Sequence, residues 1–583
     1  MSSSLLSPPL ELQSLTPELS SQLKERYDKS LFEIISTNWK CKFCQTTDEL
    51  SSFRNAVETL DEDEQGFVRS FRELVPLTVY DTYQPFVARF FDSPCQESEV
   101  VDLLAPGLPA FIAASSATSG KAPKYFAKYK APKYVPSTAQ TQSLYTYHIM
   151  YREVLNVFRG DQDIVRKLIV TTARSGLLRM HMGWEPEQDE DRMSLRIPGE
   201  TAPHALKFVS HHPSFLLLHA LFALADRSMD TIRVLFCTTL LDLFMYINRD
   251  WVSLVDAIER GTIPELEHIE HVRDHLQRHL DADPVRAAEL RAVGPPSNTT
   301  GWAKYVWPNL KVAFSSASGP FSIAVPKVKD ILGPDVVLHT PALGGSECFA
   351  GAAYQFGDLN RFKMSLDDAY IEYLDVASEE VSSNIRAAWE IEPGKHYELV
   401  LTTCNGFWRY RLADVIELLG FAPDDGSPIV KFVERRDAVI KFDGAFVTEA
   451  QLLQSVYSAT QDTIGQVIEF TCFKDVRKLP VTVGFFVELA QEPGLPGTSE
   501  TRHQAKQRLL DALSSANENI GQAYRAGLFG MPTIRVVKPG TFMEFRKRKG
   551  DASAMGTSQT KAPLVMTEIA AQEWMMDRVE LEI

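Results

Sequence analysis

LTTCNGFWRYRLADVIELLGF, residues 401–421, followed by VERRDAVIKFDGAFVTE, residues 433–449, sets polar and charged residues inside sequence that otherwise reads as β-strand. Thr402 and Thr403 close the apolar run YELVLTT, and Asp414 closes the aromatic, basic segment FWRYRLAD. Arg435, Asp437 and Lys441 punctuate a third run whose Val and Ile predict another strand. Ionisable groups at strand ends face a cleft. A carboxylate such as Asp414 can accept hydrogen bonds from paired sugar hydroxyls, and arginine and lysine match phosphate or carboxylate.

An earlier segment, AASSATSGKAPKYF at 113–126, has what a phosphate needs. Ser115, Ser116, Thr118, Ser119 and Gly120 are small enough for backbone N–H groups to approach an anion, and Lys121 and Lys124 add charge. The P-loop pattern asks for glycine five positions before Gly120. Ser115 stands there, so that pattern is excluded. The alternative is a flexible Ser/Thr/Gly linker.

With 583 residues, 44% of them hydrophobic and 23% charged, the chain has the composition of a globular protein with more than one core. A net charge of −16 disfavours a broad nucleic-acid surface but leaves room for a local basic pocket. A nucleotide is therefore a better partner than a polynucleotide. MSSSLLSPPLELQS lacks the basic start and apolar core of a secretory signal, and Asp226, Arg227 and Asp230 interrupt the apolar stretch 215–225 before it reaches a membrane span. No membrane association is expected. The 7 cysteines, odd in number and scattered, fit a reducing compartment, and the cytosol is the expectation. Cys41 and Cys44 form a CxxC with no second pair nearby.

Apolar spacing predicts helices over residues 16–74, then a short strand and turn at VPLTVYDTYQP. Residues 130–141 and 185–191 read as loops, with EPEQDED a solvated one, and 215–247 as mostly buried helix. His268, His271, His275 and His279 are spaced to share one helical face. They lie beside the apolar stripe Leu266, Ile269, Val272, Leu276 and Leu280, which favours a solvated face over a metal site. From WPNLKVAF onward, strands alternate with helices as in an α/β core. After Lys441, TEAQLLQSVYSA reads as helix, VIEFTCFK and LPVTVGFFVEL as strands, and QAKQRLLDALSSANENI as helix. RKRK at 546–549 reads as a solvated turn.

In chain order, SSATSGKAPK, VWPNLKVAFSSASG, the GGSE of 344–347, MSLDDAYIEYLDV, the YRLAD region, IRVVKPGTF and the SQTKAP of 558–563 resemble the Gretchen Hagen (auxin-responsive) acyl-acid amido synthetases, within the adenylate-forming superfamily. The resemblance covers most of the chain. It implies an α/β fold with a large N-terminal domain of β-sheets and packed helices over 1–436, binding ATP and the acyl acid. A smaller mobile C-terminal lid over 437–583 would follow, with Asp437 as a hinge candidate. It also implies ATP and Mg2+ as cofactors, and a small carboxylic acid and an amino acid as substrates.

Residue by residue, the resemblance implies that Ser115, Ser116 and Thr118 contact phosphate and that Ser346 helps hold phosphate or nucleotide. Glu347 would associate with magnesium, Asp414 would bind the ribose hydroxyls and Arg435 would contact the nucleotide. Lys561 would reach the phosphate during adenylation. Several positions depart from the family pattern: Ala117 and Ala413 replace glycines, Leu343 and Gly345 alter the start of the glutamate motif, and Cys404 with Asn405 replaces an aromatic-small pair. The implied activity is ligation of a carboxylic acid, through its adenylate, to an amino acid amine. Two alternatives keep part of this: a thiol acceptor such as coenzyme A or another amine, and a nucleotide- or acid-binding sensor without catalysis.

Overall fold

The computed structural model describes residues 11–60, 63–115, 123–130, 141–442, 445–460, 462–490, 498–552 and 560–583. The run HYELVLTT forms the strand His396–Thr403, buried at every position but the first. A strand covered on both faces reads as a near-continuous apolar run, which is why this segment was legible as a strand. It lies in an eight-stranded antiparallel sheet in the order 342–344, 349–353, 362–364, 428–435, 410–421, 396–403, 369–375 and 385–386.

The arginines of FWRYRLAD are consumed by this sheet. Arg409 donates to both oxygens of Glu372 at 2.9 and 2.7 Å, both side chains being buried, and to the carbonyls of Arg72 and Val75. Arg411 forks onto Glu398 at 3.0 and 2.7 Å and reaches Glu380. Such pairs stabilise only while complete, because removing one partner leaves a desolvated charge. Glu372→Gln is therefore expected to destabilise the chain by about 3 kcal/mol. A denaturant midpoint equal to the parent's would contradict this.

N-terminal helices, Pro17–Asn38 and Glu64–Leu74 among them, cover one side of the sheet in a shared core. VPLTVYDTYQP differs from the expected strand and turn: Tyr80–Ala88 is a helix. Tyr83 and Val87, four apart, face inward, and the Tyr83 hydroxyl accepts from Trp408 N at 2.7 Å. Only Thr78 makes a bridge, to Tyr410.

A second sheet has four parallel strands, 143–146, 231–236, 312–316 and 337–339, in that order. The stretch 215–247, expected to be mostly helix, contains one of them: helix His212–Ala225, strand Thr231–Phe236, then helix Cys237–Arg249. An apolar run buried on both faces looks alike as strand or helix, so periodicity did not separate them. A five-stranded sheet, in the order 95–96, 153–159, 163–171, 111–114 and 125–128, completes this part.

From Val439 the chain forms a hairpin and a four-stranded sheet, 467–475, 482–489, 533–537 and 579–582. Helices Glu449–Thr460 and Ser499–Ala516 share its core. RKRK is not a solvated turn: Thr541–Ala552 is a helix and Arg546 is buried in it, paired with Asp242 some 300 residues away.

The histidine run is not one helix face either. Only Arg273–Gln277 is helical there, and His268 has φ 58°. His271 bonds the Phe208 carbonyl and His275 the Ser194 hydroxyl, and among the described residues no group of side chains is set to hold a metal. EPEQDED runs into the helix Asp189–Met193, whose Asp189 accepts two bonds from the buried Arg179. All 7 cysteines are free, and among the described residues no helix is long and apolar enough to cross a membrane.

Candidate active site

Asp414 lies inside the strand Tyr410–Phe421 and not at its end, but the strand is broken there. Glu398 pairs with Val415 and Val400 with Arg411, so residues 412–414 bulge opposite Leu399 alone. Ala413 takes φ 68°, a left-handed conformation costing an alanine roughly 1 kcal/mol. Bulges re-aim side chains, and this one turns Asp414 towards Arg435 at the end of the neighbouring strand. Arg435 Nη1 lies 3.3 Å from Asp414 Oδ1, while its Nε donates to Asp437 Oδ1 at 3.0 Å. Burial, with Glu347 and Asp437 adding, pushes Asp414 up to about 6 against the pull of Arg435. Its Oδ1 is buried without a hydrogen bond.

Glu347 sits in the turn between strands 342–344 and 349–353, and its carbonyl accepts from Lys128 Nζ at 2.7 Å. A Cβ at Gly345 would lie 2.6 Å from Glu347 Oε2, so glycine gives the carboxylate room to fold over its own turn. Ser346 is partly buried in the same turn.

Lys561 reaches this cleft from the other end of the chain. Its Nζ is 5.5 Å from the centroids of both Phe236 and Phe321, which stack at 4.5 Å where the parallel strands end. Burial and the nearby Arg435 bring the ammonium down to about 8, with Glu449 and Asp414 acting against them. Glu449, the last residue of VTE, begins the helix Glu449–Thr460 and is buried. Burial pushes it up to about 8 despite Arg435 and Lys561, and its Oε1 has no hydrogen-bond partner. Gly319, at φ 56°, has no space for a side chain between Phe432 and this carboxylate.

Asp414, Arg435, Asp437, Glu347 and Lys561 thus come together closely enough to shift one another's charge. Ser115 has a different visible job: its hydroxyl accepts from Lys124 N at 3.1 Å and its N–H donates to Lys124 O at 2.8 Å, pinning the two ends of the serine-rich segment. Ser116 and Thr118 lie outside the described residues. Asn405, where the sequence departs from the family, accepts from the N–H groups of Tyr129 and Lys130 at 2.8 and 3.0 Å.

The chain matches the GH3 family N-terminal domain over residues 16–337, the central domain over 362–435 and the C-terminal domain over 450–569. It belongs to the GH3 family. It is 24% identical over 501 residues to the indole-3-acetic acid-amido synthetase GH3.8 of Oryza sativa subsp. indica, covering 82% of this chain and 79% of that one. It is 22% identical to the indole-3-acetic acid-amido synthetase GH3.17 of Arabidopsis thaliana, covering 94% of each. With the jasmonoyl--L-amino acid synthetase GH3.5 of Oryza sativa subsp. japonica it shares 22% identity over 82% of this chain and 83% of that one.

Among solved structures, the GH3.15 acyl acid amido synthetase superposes with a TM-score of 0.75 at 19% identity, over 99% of this chain and 98% of that one. A 2-hydroxyisobutyryl-CoA ligase in its postadenylation state with 2-HIB-AMP superposes at 0.50 and 11% identity, over 99% and 98%. These likenesses establish the α/β fold of the adenylate-forming enzymes, a large N-terminal unit followed by a smaller C-terminal one.

Within this GH3 chain, sequence reasoning missed Glu449. Glu449 was hidden because an acidic residue opening a helix is ordinarily explained by the helix dipole alone. Its position directly after an apolar strand, AFVT, was the available signal.

Proposed function

We propose that this GH3 chain is an ATP-dependent ligase that adenylates a carboxylic acid and passes the acyl group to an amino acid amine, releasing AMP. The observation that carries the reading is the convergence of Lys561 and Arg435 beside Asp414, where the nearby guanidinium disfavours the lysine's charge. A site that forces two cations together is built for an anion, here a triphosphate.

A carboxylate is a poor acyl donor because its leaving group would be oxide. Its oxygen attacks the α-phosphorus of ATP and pyrophosphate leaves. The amine then attacks the acyl carbon and AMP departs with the C–O bonding pair. Asp414 accepts from the ribose hydroxyls, its Oδ1 being ion-paired with Arg435 but without a hydrogen bond of its own. Arg435 and Lys561 neutralise phosphate charge and align the two anions of the first step. Phosphate contact is proposed for Ser115 and Ser346 and, from the sequence resemblance alone, for Ser116 and Thr118.

Glu347 presents one carboxylate to the cleft, the donor set expected where magnesium takes its remaining ligands from phosphate and water. Bound there, the metal would supply charge neutralisation. The amine needs the space that Lys561 fills, so the C-terminal unit, hinged at Asp437, withdraws between the two steps. Phe236 and Phe321 give the acyl site an apolar, aromatic wall.

The decisive experiment is ATP–pyrophosphate exchange against a panel of aromatic, fatty and small carboxylic acids, followed by AMP release with amino acids or coenzyme A as acceptor. ATP binding without exchange for any acid would instead identify a sensor.

The charge states add a pH prediction. The competent form has Asp414 ionised and Lys561 protonated, with values of about 6 and about 8. Exchange kcat/KM therefore rises through about pH 6 and falls through about pH 8. Glu449 shares the basic limb, so that limb belongs to the pair. Glu449→Gln removes the carboxylate that favours the lysine's charge and should move the basic limb to lower pH. A limb that stays in place would dissociate Glu449 from Lys561.

A further inference from the structure

We infer that the buried ion pair between Asp242 and Arg546 docks the C-terminal unit in the orientation that sets Lys561 in the cleft, making both positioning residues for adenylation and not for amide formation. The inference rests on the reading of Lys561 given above.

Arg546 is 2% exposed and Asp242 fully buried. The guanidinium donates from Nε and Nη2 to the two carboxylate oxygens, both at 2.5 Å, and from Nη1 to Glu469. Asp242 lies on the helix Cys237–Arg249, which begins directly after Phe236, one of the rings beneath Lys561. Arg546 lies on the helix Thr541–Ala552 of the C-terminal unit. Three residues on, and so on the same side of that helix, Lys549 donates to the Lys561 carbonyl at 3.4 Å. One helix thus carries both the dock and a grip on the loop of the lysine.

A two-pronged arginine–carboxylate contact fixes angle as well as distance, and in a desolvated setting a misaligned pair is heavily penalised. The pair can nevertheless part. Glu469 belongs to the same unit as Arg546 and goes with it, and His212, with Nε2 3.9 Å from Asp242, stays behind with the aspartate. When the units separate, Arg546 keeps the carboxylate of Glu469, and Asp242 keeps the imidazole of His212 as a polar neighbour. A purely structural ion pair has no need of a second partner on each side.

The test compares two half-reactions in the full chain. Asp242→Asn and Arg546→Gln, singly and together, are assayed for pyrophosphate exchange with the acid most active in the panel. They are assayed separately for amide release from that acid's chemically prepared adenylate with the proteinogenic amino acids. Each single variant should lower exchange by about 30-fold. The double variant should lose no more than either single, because one interaction is shared. Amide release from the supplied adenylate should remain at or above about half the parental rate.

Exchange within about threefold of the parent in both single variants, or equal losses in both half-reactions, would overturn the proposal. If Asp242→Asn does not fold, Asp242→Leu with Arg546→Met removes both charges at once and is read by the same split. Lys561→Ala runs in parallel: undiminished exchange in that variant would defeat the lysine reading itself and not the dock.

Discussion

Lys561→Ala is expected to slow acid-dependent pyrophosphate exchange by about 10²- to 10³-fold while changing the dissociation constant of ATP by no more than about threefold. The ammonium sits at the boundary between the units, held against Phe236 and Phe321 and drawn down to about 8 by burial and by Arg435. A cation kept in so unfavourable a setting contributes most when negative charge develops beside it, which is the moment the carboxylate oxygen and the α-phosphorus share a bond. On the proposed reading, ground-state ATP keeps its contact with Arg435 and should lose little. Exchange measured with saturating acid, together with calorimetric titration of ATP, separates the two effects. Weakened ATP binding with undiminished maximal exchange would reverse the assignment.

Asp414→Ala is expected to do the opposite. Two charge-assisted hydrogen bonds to a ribose diol contribute about 3 kcal/mol together, so ATP affinity should fall by about two orders of magnitude. Arg435 keeps Asp437 at 3.0 Å, so the substitution does not strand a guanidinium. The cleanest check uses 2′-deoxy-ATP: the parent should discriminate against it and the variant should not. Equal discrimination by both would place the ribose elsewhere.

What the sequence disclosed, and what it hid, follows from the range of the interactions concerned. The strand ending in Thr402 and Thr403, the strand ending in Arg435 and the helix from Glu449 were legible because their signals are local, an apolar run with a defined stop. The convergence of Asp414, Arg435 and Lys561 was reachable only through resemblance, since no spacing rule joins residues so far apart in sequence. The partners of Arg409 and Arg411, Glu372 and Glu398, lie on other strands, and nothing nearby in the sequence announces them. Arg546 was misread as solvated for the same reason, its carboxylate lying in another unit. The strand Thr231–Phe236 vanished into a long apolar stretch because complete burial erases the alternation that distinguishes strand from helix.

The bulge that aims Asp414 belongs to the broad antiparallel sheet, whereas Lys561 arrives on the smaller unit. Ligands can therefore be sorted by which half of the cleft they address. On the proposed reading, a bare nucleoside would be read by the sheet alone and bind open and closed forms nearly equally, and so would shift no population however tightly it is held. A compound carrying a phosphate-like linker also engages Lys561 and selects the closed form by the difference. An inhibitor of this chain would draw its affinity from the first half and its power to arrest the cycle from the second.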